Sequence, residues 1–198
     1  KVSPKNLHHD DLIEACESSL ERLDTEYLDL YLIHWPNENI PTKETFSAMG
    51  ELHKQEKVKS IGVSNFTIPE IKEAMDVSPV PVTANQVEFH PWLYQEELLD
   101  FCNENDIILI AYAPLARTKV LQDETIQELA EKYDKTPGQI TLRWEVEKLT
   151  VPIPKAGSEP HIKENIQLFD WELDPEDVER IDSISKENRL INFHYSSF

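Results

Sequence analysis

Leu30-Tyr-Leu-Ile-His-Trp-Pro36 is an apolar run that ends on a histidine and is closed by a proline. Bounded by Asp24 and Thr25 on one side and by Pro36 and Asn37 on the other, it predicts a β-strand, Leu28–Ile33, covered on both faces. His34, where that strand runs out, is a candidate site residue, because strand ends carry the chemistry of α/β folds.

Outward from this stretch the same pattern repeats. A helix is predicted over 10–23, where Leu12, Ile13, Cys16, Leu20 and Leu23 recur at helical spacing and Asp10 or Asp11 can cap the start. After the first strand, Thr42 opens a helix with Phe46, Met49, Leu52 and His53 on one stripe. Strands are predicted at 58–63, 82–87, 107–112 and 150–153. Helices are predicted from the Thr67 cap, with Pro69 in its first turn, and at 93–103, 123–133, 136–147, 159–168 and 174–185. Residues 186–198 read as a polar and aromatic tail, and nothing rich in Gly, Ser or Pro divides residues 1–198, so one domain is expected.

A helix followed by strand–helix repeats implies a parallel sheet with right-handed crossovers. The four glycines, Gly50, Gly62, Gly138 and Gly157, cannot spell Gly-x-Gly-x-x-Gly or a phosphate loop, which argues against a standard dinucleotide-binding unit and a P-loop enzyme. Periodicity leaves two architectures open, an open doubly wound sheet and an incomplete (β/α)8 barrel, since a barrel needs eight strands.

The net charge of −19 makes nucleic acid and anionic membranes unfavourable partners. The same acidity suits either a high-salt environment or an ordinary acidic cytosolic protein. Cys16 and Cys102 lie in apolar helical patterns and read as reduced core thiols. Neither a leader peptide nor a membrane span is expected, so the reading is cytoplasmic.

The strand ends hold His34 with Trp35, Ser64 with Asn65, Gln86 with Glu88, Tyr112, and Lys155. In either architecture they converge on one face. Each also has a plain structural role open to it: a hydrogen-bonded histidine, a turn, a buried amide, a core phenol, a solvated lysine. Together they have a chemical theme. Asn and Gln suit a carboxamide, Tyr a planar ring, His a carbonyl oxygen, and Lys155 before a helix start near Glu159 suits a phosphate.

Tyr31-Leu-Ile-His-Trp-Pro36, Ile61-Gly-Val-Ser-Asn-Phe66, Asn85-Gln-Val-Glu-Phe-His-Pro91, Ala111-Tyr-Ala-Pro-Leu115 and Ile153-Pro-Lys155 resemble the aldo-keto reductases, most closely the microbial 2,5-diketo-gluconate reductases and related carbonyl reductases. The resemblance runs in order along essentially the whole chain. It implies a partial (β/α)8 barrel, strands four to eight with their helices, and reduction of aldehydes and ketones by NADPH without metal. Of the four catalytic positions of that family, His34 matches the histidine that polarises the substrate carbonyl, and Lys1 matches the lysine that lowers the pKa of a catalytic tyrosine. The tyrosine and the aspartate would precede Lys1 and are absent, so the chain alone is expected not to turn over.

The resemblance further implies that Ser64, Asn65 and Gln86 hold the nicotinamide carboxamide and that Tyr112 stacks on its ring. Pro114, Leu115 and Ala116 fall in the pyrophosphate loop, where Ala113 replaces the usual serine. Lys155 and Ser158 match contacts to the 2′-phosphate, Glu164 and Asn165 contacts to adenine, and Trp35 the substrate pocket. His161 stands where the family often has arginine, which opens the way to NADH, since histidine lacks a permanent charge and a bidentate fork. A monomer and a small carbonyl substrate are expected for the full-length protein. The competing readings are a metal-dependent barrel hydrolase using His34, Glu88 and His90, and a cofactor-binding regulatory or inactive member of the same fold.

Overall fold

The computed structural model describes residues 1–191, so of the 186–198 tail the last seven residues lie outside the described part. In order along the chain are α1 (His9–Leu23), β1 (Leu28–Ile33), α2 (Thr42–Lys54), β2 (Val58–Ser64), α3 (Ile68–Val77), β3 (Val82–Glu88), α4 (Glu96–Glu104) and β4 (Ile108–Tyr112). There follow α5 (Glu124–Tyr133), α6 (Pro137–Glu147), β5 (Val151–Pro152), α7 (Glu159–Ile166) and α8 (Pro175–Asp182). The strands form one sheet in the order β1-β2-β3-β4-β5. The chain divides into two compact units, one holding Lys1–Gln86 and Asp100–Ile108, the other Val87–Leu99 and residues 109–191. Among the described residues no helix is long and apolar enough to cross a membrane.

In the first unit β1 and β2 pair in parallel, with Tyr31 opposite Ile61 and Ile33 opposite Val63. β2 pairs in parallel with β3. The stripes of α1 (Leu12, Cys16, Leu20) and α2 (Phe46, Met49, Leu52) are buried, as their spacing requires. Gly62 is needed where it stands: a Cβ there would meet the Ala84 carbonyl oxygen at 2.6 Å and Leu32 Cδ2 at 2.7 Å.

Several boundaries differ from the sequence expectation, each for a local reason. The N-cap of α1 is His8, not Asp10 or Asp11. Glu44 from α2 accepts the His9 amide at 3.2 Å, so α1 is capped from another helix and its aspartates sit in the first turn, where they complement the helix dipole. α4 starts at Glu96, not Leu93, because Leu93 bridges His90 and donates its amide to the His90 carbonyl at 2.7 Å. β5 is shorter than 150–153 because Thr150 closes α6, both its amide and its hydroxyl donating to the Glu145 carbonyl. The first strand is covered on both faces only toward its C-terminal end: Tyr31, Leu32 and Ile33 are buried, whereas Leu30 is 37 % exposed. Alternate residues of a strand face opposite sides, and in β4 Leu109 and Ala111 are buried while Ile108 is 52 % exposed; in β5 Val151 is 46 % exposed.

In the second unit α6 is buried from Gly138 to Glu145. Trp144 stacks on Phe89 at 5.5 Å between centroids, with Tyr94 edge-on to both. Polar groups on this helix are matched: Trp144 Nε1 donates to Asp182, and Arg143 donates to Glu147 and to the Leu168 carbonyl. Cys16, in the first unit, and Cys102, on α4, are buried free thiols, and burial pushes the Cys102 thiol up to about 12.

Glu145 breaks the rule of matched groups. It is fully buried, neither carboxyl oxygen has a hydrogen-bond partner, and burial raises its pKa well above the ordinary carboxylate value. Its folded-state pKa lies above the unfolded one, so the folded form is favoured most below about pH 4.3 and loses stability as pH rises beyond that. Glu145→Leu is expected to be more stable than the parent at pH 7. The gap should narrow toward pH 5 with a slope of at most about 1.4 kcal/mol per pH unit. Urea denaturation at the two pH values measures it.

Candidate active site

The predicted site residues fall into two sets, one in each unit. The first is built on the ends of β1, β2 and β3. Val2 forms a parallel bridge to Ile33, its amide donating to the Leu32 carbonyl at 2.9 Å and its carbonyl accepting the His34 amide at 3.0 Å. The backbone itself thus sets Lys1 at the strand end that carries His34. Lys1 Nζ donates to Gln86 Oε1 at 2.5 Å. Burial first, then the positive charge of Lys1, holds the His34 imidazole below its usual pKa. It is therefore neutral at pH 7 and can donate one N–H to an oxygen. Burial likewise lowers the Lys1 ammonium.

Asn65 ties this set together. Its amide donates to the Gln86 carbonyl at 2.9 Å, and its Nδ2 donates to the His34 carbonyl and to Ser64 Oγ, both at 3.1 Å. Its φ of +63° is left-handed, a conformation asparagine tolerates better than most side chains. Ser64, Asn65, Gln86 and Trp35 are all buried.

The second set begins with Tyr112, half-buried at the end of β4. Burial, followed by the negative charge of Glu88, pushes its phenol up to about 12. The chain then turns through Ala113 at φ +51°, buried Pro114 and half-buried Leu115, into left-handed Ala116, Arg117 and Thr118. Left-handed non-glycine residues in series mark a loop held by its surroundings, and the Ala116 amide is bonded within it to the Ala113 carbonyl at 2.8 Å. Lys155, Ser158 and His161 are exposed around the start of α7. Ser158 is the N-cap, and its side chain makes no capping bond. By contrast, Thr67, Asp123 and Thr136 cap α3, α5 and α6 with their side chains. Glu164 turns back to accept from Thr136 Oγ1, and Asn165 lines an apolar groove with Ile162, Ile166 and Phe169.

Glu88 and His90, which only the competing hydrolase reading would use, as metal ligands with His34, are bonded to each other. Both are fully buried, and His90 Nε2 lies 2.9 Å from Glu88 Oε1. Glu88 also accepts the amides of Leu190 and Ile191, which leaves its oxygens occupied by N–H donors. Among the described residues no three His, Cys, Asp or Glu side chains gather as a metal cluster would. Arg189, near Glu88 and Tyr112, went unnoticed. The i, i+2 spacing of Gln86, Glu88 and His90 at the end of β3 and just past it was the available signal; Arg189 has none in sequence.

Residues 1–186 match the model of the Aldo/keto reductase family. The chain is 41% identical over 190 residues to the glyoxal reductase of Bacillus subtilis, covering 96% of this chain and 68% of that protein. Its structure is similar to that of a putative 2,5-diketo-D-gluconic acid reductase B, with a TM-score of 0.95, 33% identity, and coverage of 98% of this chain and 70% of that one. It is also similar to a Bombyx mori aldo-keto reductase in complex with NADP, with a TM-score of 0.90, 32% identity, and coverage of 98% and 70%.

The neutral state of His34 is open to measurement. Its imidazole resonances are expected to titrate below the ordinary midpoint of about 6.5. Lys1→Met should move the midpoint part of the way back, because burial is the larger cause and remains. An NMR pH titration of the two proteins checks both points.

Proposed function

The chain belongs to the aldo/keto reductase family of NAD(P)H-dependent oxidoreductases, and from that premise we propose that it is the C-terminal part of a (β/α)8 carbonyl reductase that converts aldehydes and ketones to alcohols. The observation that carries this reading is the Val2–Ile33 bridge, which sets Lys1 beside a neutral His34 at one strand end. The barrel reading is supported by the part of each relative that the chain spans, about two thirds, and by the apolar Leu30, Ile108 and Val151 left exposed on the strands. Strands β1 to β5 are then barrel strands four to eight.

NADPH fits the residues present. The α7 N-terminus has no side-chain cap and carries Lys155, Ser158 and His161, which together suit a phosphate. Pro114, Leu115 and Ala116, in the turn after Tyr112, form the pyrophosphate loop of this reading. Tyr112 offers a ring face, Ser64, Asn65 and Gln86 offer amide and hydroxyl groups for the carboxamide, and Glu164 and Asn165 lie on α7 for the adenine. The cofactor supplies the hydride. In this chain His34 donates its N–H to the carbonyl oxygen and so polarises and orients the substrate. Lys1 places a positive charge where a phenol would act as acid, and Trp35 bounds the substrate side. The aspartate and tyrosine of the family set lie outside residues 1–198 in this reading. Small aldehydes such as glyoxal are the first substrates to test.

Binding and turnover separate here. The chain alone is expected to bind NADPH and to leave glyoxal unreduced. Joined to an N-terminal third of the kind its relatives have, it should reduce glyoxal, and His34→Ala should lower kcat by about 10²-fold or more. Consumption of NADPH followed by absorbance gives both numbers. Turnover by the chain alone at the rate of an intact relative would remove the need for an outside tyrosine.

The Lys155 assignment has its own measurement. Lys155→Ala is expected to weaken NADPH about tenfold, the scale of one charge-assisted hydrogen bond, and to leave NADH unaffected. Fluorescence titration with the two cofactors compares them; equal losses for both would take the 2′-phosphate away from Lys155.

A further inference from the structure

Residues 186–191 belong to no helix or strand, yet they lie along a fixed path. The amides of Lys186 and Asn188 both donate to the Trp92 carbonyl, at 3.2 and 3.0 Å. Lys186 Nζ lies 4.3 Å from the Trp92 ring centroid and 3.2 Å from Asp123 Oδ2. Gln95 works in two directions: its Nε2 donates to the Glu88 carbonyl at 2.7 Å, and its Oε1 accepts from Arg189 Nη2 at 2.9 Å.

The path ends on one carboxylate. Glu88 Oε1 accepts the Leu190 amide at 2.8 Å and faces His90 Nε2 at 2.9 Å, and Glu88 Oε2 accepts the Ile191 amide at 2.9 Å. Three N–H donors therefore converge on a side chain with no exposure to water. Only an ionised carboxylate offers acceptors to all three; a carboxamide would turn its own N–H groups against one of them. These bonds hold the Glu88 pKa below the ordinary value against the opposing cost of burial. The Nδ1 of His90 is buried without a partner, so Nε2 is the ring nitrogen that bonds to the carboxylate. The same carboxylate, and Arg189 of the fastened segment, act electrostatically on Tyr112.

We propose that Glu88 is a positioning residue: its buried carboxylate fastens the 189–191 segment beside Tyr112 and thereby sets how fast a nicotinamide ring stacked on Tyr112 departs. The proposal rests on the reading of Tyr112 as the ring-stacking residue. Glu88 touches neither reacting atom in it. It acts through a strap whose backbone it holds by charge-assisted hydrogen bonds.

Two variants attack the contact from opposite sides. Glu88→Gln removes the charge, and Leu190→Pro removes the strap's own donor and leaves the buried Glu88–His90 pair in place. Hydrogen exchange at the Ile191 amide, in the chain without cofactor, is expected to quicken at least tenfold in both. NADPH release, followed by stopped-flow displacement, should quicken in both. The nicotinamide fluorescence of bound NADPH should fall in Leu190→Pro as water reaches the ring, with the thermal midpoint of the protein unchanged. A merely structural role for Glu88 would not produce that signature in a variant that spares it. Unchanged exchange at Ile191 overturns the fastening. Faster exchange with unchanged release overturns the link to the cofactor. If the parent chain binds no NADPH, the cofactor reading fails and the link with it, while the exchange measurement still decides whether Glu88 fastens the strap. Should Glu88→Gln fail to fold, Leu190→Pro alone decides both points.

Discussion

A polar group taken out of water must find its partner inside the protein, and the strand ends of this chain are arranged around that constraint. Asn65 is buried, and its backbone and side-chain N–H groups bond to Gln86, His34 and Ser64. Asn85, one strand over, donates to the Phe66 carbonyl at 3.0 Å, while its Oδ1 is buried without a partner. Glu88 gathers three donors. Polar side chains at these positions therefore serve the fold and the chemistry together. The hydrogen bonds that make their burial affordable also fix the atoms a ligand would meet.

Glu145 shows what happens where the constraint is not met. It sits in a helix that is buried along most of its length, near residues whose polar atoms are all engaged, and its carboxyl has no donor. The protein accommodates it by keeping it neutral, which costs stability at neutral pH in place of the far larger cost of a buried charge. Glu88 and Glu145 are equally buried glutamates with opposite shifts. The difference is the number of N–H groups that reach them.

Much of the fold was legible in the residues. The apolar runs mark the strands because a parallel strand needs continuous apolar side chains, and Thr67, Asp123 and Thr136 mark helix starts because their oxygens accept first-turn amides. His34, Asn65, Gln86 and Tyr112 were visible as polar or aromatic residues directly after such runs. What escaped were contacts between distant segments. The Glu44 cap on α1, the bond that pulls Leu93 out of α4, and the strap fastened to Glu88 each join residues that local pattern does not relate. The exposure of Leu30 escaped for a related reason, since composition records that a residue is apolar and not whether anything covers it.

By itself, the sequence determined the alternation of strands and helices, the order of the motifs along the chain, and which residue types stand at each strand end. These follow from short-range periodicity and from the side chains' own chemistry. Only the tertiary structure decided the state and the company of those residues. It set Lys1 at the His34 strand end through a backbone bridge, made His34 neutral through burial and a nearby charge, and joined Glu88 and His90 in a hydrogen-bonded anchor. Protonation and partnership depend on desolvation and on distances of about 3 Å, the length of a hydrogen bond. Those are set only when segments far apart in the chain are packed against one another.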